Sequence, residues 1–246
     1  MPPAQFPLQH LDRQRAKESM RAVIFDFDGI IADTEPLHFE GLRRTLAGIG
    51  IALTEPDYYA DYLGFDDRGC ILEALRVNRR PATEPIVRDL MRKKAEAYLV
   101  SIQDHLVIFP GVREFVEEAA AAYPIAIASG ALRLEIELIL EQAGIRKAFR
   151  HITSAEDVIR SKPDPEPFLH ALAGLNRQRG GLGLTPDACL VIEDSLPGIR
   201  AAKAAGMKVL AVTNTHTVQD LHEAHAISPS LRETRLTALR ARLWPS

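Results

Sequence analysis

The chain has 246 residues, 46% hydrophobic and 26% charged, and its 30 Lys plus Arg against 33 Asp plus Glu leave a net charge of −3. At roughly 100–200 residues per domain this is one large domain or two modest ones, able to bury a core without disulfide or metal staples. The composition excludes a disordered chain, and the balanced charge gives no electrostatic reason to hold nucleic acid or an anionic membrane.

Residues 1–20 contain Asp12, Arg13, Arg15, Lys17 and Glu18 and no apolar block, so no secretory signal is expected there but a loosely ordered extension or short helix. Arg21 to Phe27 then carries the apolar run Ala-Val-Ile-Phe, which reads as a strand buried on both faces. Similar runs recur at Ile125–Ala128, Leu190–Ile192 and Val209–Val212, each beside a helix-like stretch. Arg133–Gln142 repeats Leu and Ile at helical spacing and stops at Gly144; the Ala-rich segment Pro197–Ala205 follows a possible Ser195 cap and stops at Gly206. Pro36–His105 breaks the alternation: it has no buried strand pattern and holds helical ones, including Phe39–Ile49 and Ile86–Val100. The expected architecture is α/β, a mostly parallel, Rossmann-like sheet core with a helical insertion directly after its first strand. The expected divisions are an extension over 1–20, an α/β core over 21–35 and 106–246, and a helical cap over 36–105. Cys70 and Cys189 lie far apart without CxxC spacing, which fits a reducing, cytoplasmic setting. No run reaches the roughly 18 apolar residues of a membrane helix, and nothing demands more than a monomer.

Chemistry in open parallel sheets sits at the carboxyl ends of the strands, and four motifs fall at such ends. Asp26-Phe-Asp28-Gly29 delivers two carboxylates to one side of an extended chain, where their repulsion calls for a positive neighbour. A calcium loop is disfavoured, because its glycine belongs at the sixth position after a helix and Gly29 is fourth after a strand. Ser129-Gly130 ends the second run; Ser129 and the following amides suit a phosphate, and a simple helix cap is the competing reading. Ser161-Lys162-Pro163-Asp164-Pro165-Glu166-Pro167 stiffens the backbone around Lys162, either a point charge for phosphate or a solvated lysine in a rigid loop. Glu193-Asp194-Ser195 ends the third run with two more carboxylates, or with a cap only. The first and last motifs together deliver four carboxylates to one sheet edge, and such a cluster requires a divalent cation. All-oxygen donors without clustered Cys or His favour Mg²⁺ over zinc.

These motifs, in this order over Arg21–Thr213, resemble the haloacid dehalogenase superfamily of phosphohydrolases, nearest the helical-cap subgroup that includes β-phosphoglucomutase and phosphoglycolate phosphatase. Asp33-Thr34-Glu35-Pro36-Leu37-His38 is typical of that subgroup. The resemblance implies Asp26 as nucleophile, Asp28 as general acid, and Ser129, Gly130 and Lys162 around the phosphoryl group. It implies Mg²⁺ held by Asp26, the Asp28 carbonyl and Asp194, with Glu193 assisting directly or through water. Arg68, in Gly64-Phe-Asp-Asp-Arg68, resembles the cap residue that grips substrate, and His38 and Thr34 are further cap candidates; Lys93, Lys94, Tyr58, Tyr59 and Tyr62 belong to the same set. The implied partner is a small phosphorylated metabolite. Two departures weaken a sugar-phosphate mutase reading and leave hydrolysis ahead. The cap arginine lies four residues after its glycine instead of three, and Arg133 stands where the mutases have asparagine.

Overall fold

The computed structural model describes residues 19–62, 65, 67–177 and 181–245. The expected N-terminal extension thus lies outside the described residues save its last two, as does Gly64 of the arginine-bearing loop. The chain divides into two compact units, Met1–Ala32 with Ile108–Ser246, and Asp33–Val107.

The first unit is a six-stranded sheet in the order β5-β4-β1-β6-β7-β8, formed by β1 Ala22–Phe25, β4 Ile125–Ala128, β5 His151–Thr153, β6 Cys189–Glu193, β7 Lys208–Val212 and β8 Ala226–Ser228. Every pairing is parallel. β1 is central, with Phe25 opposite Ile127 on one side and Ile192 on the other. All four of its side chains are buried. Ala22 and Ile24 join Ala126, Ala128, Phe168 and Val191 in the core on one face. Phe25 points the other way, its ring edge-on to Phe115 at 6.0 Å and Phe149 at 5.7 Å. The small side chains of Ala22, Ala126 and Ala128 let a helix approach the sheet closely, and α7 Glu166–Asn176 packs against β4 and β5 there. The other helices of this unit are α5 Val112–Ala122, α6 Arg133–Gln142, α8 Leu196–Ala204 and α9 Leu236–Leu243. The chain builds the β4–β5 side of the sheet first and then crosses to β6–β8, so the order reverses beside β1, where open sheets place their crevice.

β5 and β8, the two edge strands, were not marked by the sequence. Each has three residues, with His151 and Thr153 or Ser228 interrupting the apolar character that marked the others.

The chain passes between the units through a two-stranded ribbon, β2 Ala32–Asp33 and β3 Val107–Ile108. The helical unit comprises α1 Glu35–Ala47, α2 Glu55–Asp61, α3 Asp67–Val77 and α4 Glu84–His105. Three of these four open on the same tripeptide: Thr34-Glu35-Pro36, Thr54-Glu55-Pro56 and Thr83-Glu84-Pro85. Threonine favours the cap position, glutamate complements the helix dipole, and proline suits a first turn whose N–H groups have no intrahelical partner. The helices bury a separate core that includes Leu42, Leu46, Tyr58, Ile71, Leu75 and Leu90. Among the described residues no helix is long and apolar enough to cross a membrane.

Candidate active site

Asp26 is the first residue after β1, and its amide donates to the carbonyl of Ile192 at 2.9 Å. That bond sets Asp26 beside the end of β6, where Glu193 is wholly buried and Asp194 nearly so. Carboxylate oxygens of Asp26, Glu193 and Asp194 all lie within 4.8 Å of one another. Lys162 enters from the loop between β5 and α7, its ammonium 2.6 Å from Asp26 Oδ1 and 2.7 Å from Glu193 Oε1. Its Nζ also lies 5.0 Å from the centre of the Phe168 ring. The loop that carries it is braced from inside: Glu166 accepts from the Ile159 and Arg160 amides at 2.9 and 3.1 Å. Lys162 is therefore a largely enclosed ion-pair partner, its side chain 15% exposed, and the reading of a solvated loop lysine is set aside.

Glu193 has more than one task. While Oε1 faces Lys162, Oε2 accepts from the amides of Asp194 and Ser195, each at 2.8 Å, and from the Ser195 hydroxyl at 2.9 Å. Ser195 also caps α8, accepting from the Gly198 amide at 3.2 Å. A Cβ on Gly198 would coincide with the Glu193 carboxylate, so glycine is required there by close approach. Gly29 is required twice over: its φ is +74°, and a Cβ on it would overlap the Asp194 carboxylate.

Asp28 meets the end of β4, and its charge adds to those acting on Asp194. The hydroxyl of Ser129, at the end of β4, donates to Asp28 Oδ2 at 3.3 Å and accepts from the Ala131 amide at 2.9 Å. Gly130 is exposed, with open space where a Cβ would stand. The sheet thus brings Asp26, Lys162, Glu193 and Asp194 into one cluster and sets Asp28 against Ser129.

The electrostatics of the cluster follow from one ammonium serving three carboxylates. Burial, then the charges of Glu193 and Asp194, push the Asp26 carboxyl well above the ordinary range against the pull of Lys162. Burial and the Glu193 charge raise Asp194 to about 7, opposed by its hydrogen bond from Thr215. Burial also opposes ionisation of Glu193, but Lys162 and the Ser195 amide hold its carboxyl below the usual range. For the Lys162 amine the burial effect is outweighed by Asp26 and Glu193, which raise it beyond the usual lysine range. Two buried carboxylates that resist ionising are what enclosure and mutual repulsion around a single ammonium produce. The donor set, all oxygen and compact, fits a hard divalent cation.

Two residues absent from the sequence expectations join the site from the loop after β7. Asn214 Nδ2 donates to the Gly29 carbonyl at 2.7 Å, and the Thr215 hydroxyl donates to Asp194 Oδ2. Val209–Val212 had already been recognised as a strand; the rule that chemistry sits at strand ends points to the residues after it as well.

The remaining candidates belong to the helical unit. Thr34 is buried at the cap position of α1. His38 stacks on Tyr98 at 4.4 Å and accepts through Nδ1 from the buried Lys94 ammonium at 2.7 Å. Lys94 is in turn 2.6 Å from Asp67 Oδ1. Burial, reinforced by the Lys94 charge, lowers His38 to about 3. Arg68 pairs with Glu84 at 2.7 Å, with both side chains substantially exposed. Tyr58 donates to Glu35 Oε1 at 2.5 Å.

A parallel sheet with an acidic strand end, an adjacent enclosed lysine and a second acidic strand end defines a class. The model of the haloacid dehalogenase-like hydrolases matches residues 23–212, and the chain belongs to this family. It is 31% identical over 229 residues to the phosphorylated carbohydrates phosphatase of Thermotoga maritima, covering 90% of this chain and 99% of that protein. It is 30% identical over 216 residues to protein CbbY of Rhodobacter capsulatus, covering 82% and 88%. The crystal structure of CbbY from Rhodobacter sphaeroides in complex with phosphate matches with a TM-score of 0.73 at 25% identity, over 87% of this chain and 96% of that one.

Proposed function

We propose that the chain is a Mg²⁺-dependent phosphatase that hydrolyses the phosphate monoester of a small carbohydrate-like metabolite through an aspartyl phosphate. The observation that carries this reading is the Asp26–Lys162 pair, 2.6 Å apart, inside a cluster of three carboxylates at one strand edge. An Asp26 oxygen attacks phosphorus as the bond to the leaving oxygen breaks, and Asp28 donates the proton that oxygen needs. Asp28 then takes a proton from the water that attacks phosphorus, which frees Asp26 and inorganic phosphate. Splitting one displacement into two in this way lowers each barrier. Lys162 keeps Asp26 oriented and offsets the repulsion between an anionic nucleophile and a dianionic ester. Asp26, Asp194 and the Asp28 carbonyl are the residues that would hold the cation, with Glu193 anchoring Lys162 and assisting. Mg²⁺, when bound, supplies charge neutralisation for the transferring phosphoryl group. Ser129 orients Asp28 and has the position to bind a phosphoryl oxygen.

The carbohydrate class is supported by the relative from Thermotoga maritima, whose name gives phosphorylated carbohydrates as its substrates. Hydrolysis is favoured over a mutase by Arg133. Its guanidinium is engaged by Asp157 at 2.5 Å and the Ile152 carbonyl at 3.0 Å, so it braces the loop after β5 at the position where the mutases have asparagine. The test is turnover of an aryl phosphate and a panel of sugar phosphates with Mg²⁺. Asp26→Asn is expected to abolish phosphate release and Asp28→Asn to lower it about 10²–10⁴-fold. Full turnover by Asp26→Asn would end the proposal. With β-glucose 1-phosphate, free phosphate is the expected product; accumulation of glucose 6-phosphate would establish the mutase instead.

A further inference from the structure

We propose that Thr215 is a positioning residue of the cation site: through its hydroxyl it fixes the orientation of the Asp194 carboxylate, and His216 fixes the direction of that hydroxyl. The inference rests on the metal reading above and goes beyond it, since neither residue carries charge into the cluster or belongs to an acidic motif.

The argument starts from a single proton. A threonine hydroxyl has one hydrogen to give and two lone pairs to receive with. The Thr215 Oγ1 faces two partners, Asp194 Oδ2 and, at 2.8 Å, His216 Nδ1. Holding a cation, the Asp194 carboxylate is ionised and only accepts, so the proton then goes to Asp194 and His216 Nδ1 carries the N–H. The carboxylate is held at Oδ2, and one of its oxygens lies within 4.8 Å of oxygens of Asp26 and Glu193. The neighbouring residue tightens the same geometry from the other side. Asn214 pins the Gly29 carbonyl at 2.7 Å, and Gly29 is the residue whose missing Cβ makes room for Asp194. Two consecutive residues of one loop therefore grip both acidic strand exits, one by backbone and one by side chain. Partners that orient a metal-binding carboxylate without touching the metal are worth about 10–100-fold in affinity.

The experiment titrates MgCl₂ into EDTA-stripped protein and follows the melting temperature, a readout independent of turnover. Thr215→Val keeps the shape and removes the hydroxyl, and it is expected to need about tenfold or more Mg²⁺ for half of the full stabilisation. Thr215→Ser keeps the hydroxyl and should stay within about twofold of the parent chain. His216→Phe should fall between them. A lower melting temperature in EDTA with an unchanged Mg²⁺ midpoint would assign Thr215 a packing role and overturn the proposal alone. No Mg²⁺-dependent shift in the parent chain would overturn both this proposal and the metal reading on which it rests. Should Thr215→Val not fold, Thr215→Ala carries the same comparison.

Discussion

Lys162 in the α/β unit and Lys94 in the helical unit are both enclosed ammonium groups, and each lies 2.6 Å from a carboxylate, Asp26 in one case and Asp67 in the other. What surrounds the pairs differs. Around Lys162 there are two further buried acids, Glu193 and Asp194, so negative charge is in excess. Among the described residues Lys94 has one carboxylate, a neutral imidazole from His38 and the face of Tyr98, 4.8 Å from its ring centre. One lysine against one carboxylate closes the account in the helical unit. At the strand edge three carboxylates share one ammonium, and a compact all-oxygen set of that charge suits a hard divalent cation. Enclosure of a charge is thus common to both sites, while imbalance of charge singles out the one read here as catalytic.

The largest expected effect comes from removing each lysine in turn. Lys162→Met strands the buried carboxylates, and breaking a buried pair in this way costs about 3–5 kcal/mol. Lys94→Met strands Asp67 and His38, but the Asp67 side chain is 40% exposed and can turn to water. The loss there should stay near about 1.5–3 kcal/mol, the worth of hydrogen bonds to a charged group. Urea unfolding in EDTA measures both, and equal losses would erase the distinction. Cation linkage sharpens it further. Mg²⁺ at about a hundred times its Kd should stabilise the parent by about 2.7 kcal/mol. Lys94→Met should keep that increment and Asp194→Asn should lose it. If Lys94→Met loses the increment too, the two clusters are not independent and the comparison fails.

How far the sequence revealed these sites depended on how each residue reaches its partner. An apolar run that ends in carboxylates is costly unless something neutralises the acids, so Asp26, Asp28, Glu193 and Asp194 stand out on their own. That Lys162 takes one Glu193 oxygen follows from β1 and β6 being neighbours, and strand order across a crossover is not written in local pattern. The edge strands were missed because three residues with polar members make no run. In the helical unit periodicity placed helices over Phe39–Ile49 and Ile86–Val100, yet they begin earlier, at Glu35 and Glu84, where the repeated Thr-Glu-Pro opens them. That signal was present in plain sight. The loop after β7 was legible as a strand exit, but Asn214 and Thr215 carry no charge and so did not register as chemistry.

A smaller effect, opposite in sign for Asp194 and His38, is expected from pH. Asp194 is raised from 3.8 to about 7 in the folded chain. The folded state therefore binds more proton than the unfolded one in this window. Its stabilisation is full below pH 3.8 and is lost as pH rises toward about 7. His38 is lowered from 6.5 to about 3, so the unfolded state binds more proton, and stability is lost as pH falls below 6.5. Each full proton of difference is worth about 1.4 kcal/mol per pH unit. Trp244, the single tryptophan, reports the α/β unit, its indole N–H bonded to the Asp187 carbonyl at 2.9 Å. Four of the five tyrosines, Tyr58, Tyr59, Tyr62 and Tyr98, report the helical one. In EDTA between pH 5 and 7, Trp244 fluorescence should show that Asp194→Asn removes a contribution to stability that falls with pH. That contribution is set against the rising one of His151 and His225, both lowered by burial. Hydrogen exchange in α1 and α4 should show that His38→Phe removes a contribution that rises. Mg²⁺ should flatten the first trend and leave the second. Parallel trends in both would refute the assignment of opposite protonation preferences.

The smallest effect concerns Arg68, and its smallness is what makes it useful. The Arg68–Glu84 pair has side chains 42% and 54% exposed, where water screens the attraction and freezing two long side chains offsets much of the gain. Arg68→Ala should therefore shift the unfolding free energy by less than about 1 kcal/mol. Against that quiet background a kinetic change has a clear meaning. If Arg68 helps to select the phosphate ester, as its likeness to the family's substrate-gripping arginine implies, KM for the preferred sugar phosphate should rise while kcat for an unselective aryl phosphate stays near the parent value. An unchanged KM across the sugar-phosphate panel would leave Arg68 as a surface partner of Glu84 and move the search for selectivity to other residues of the helical unit.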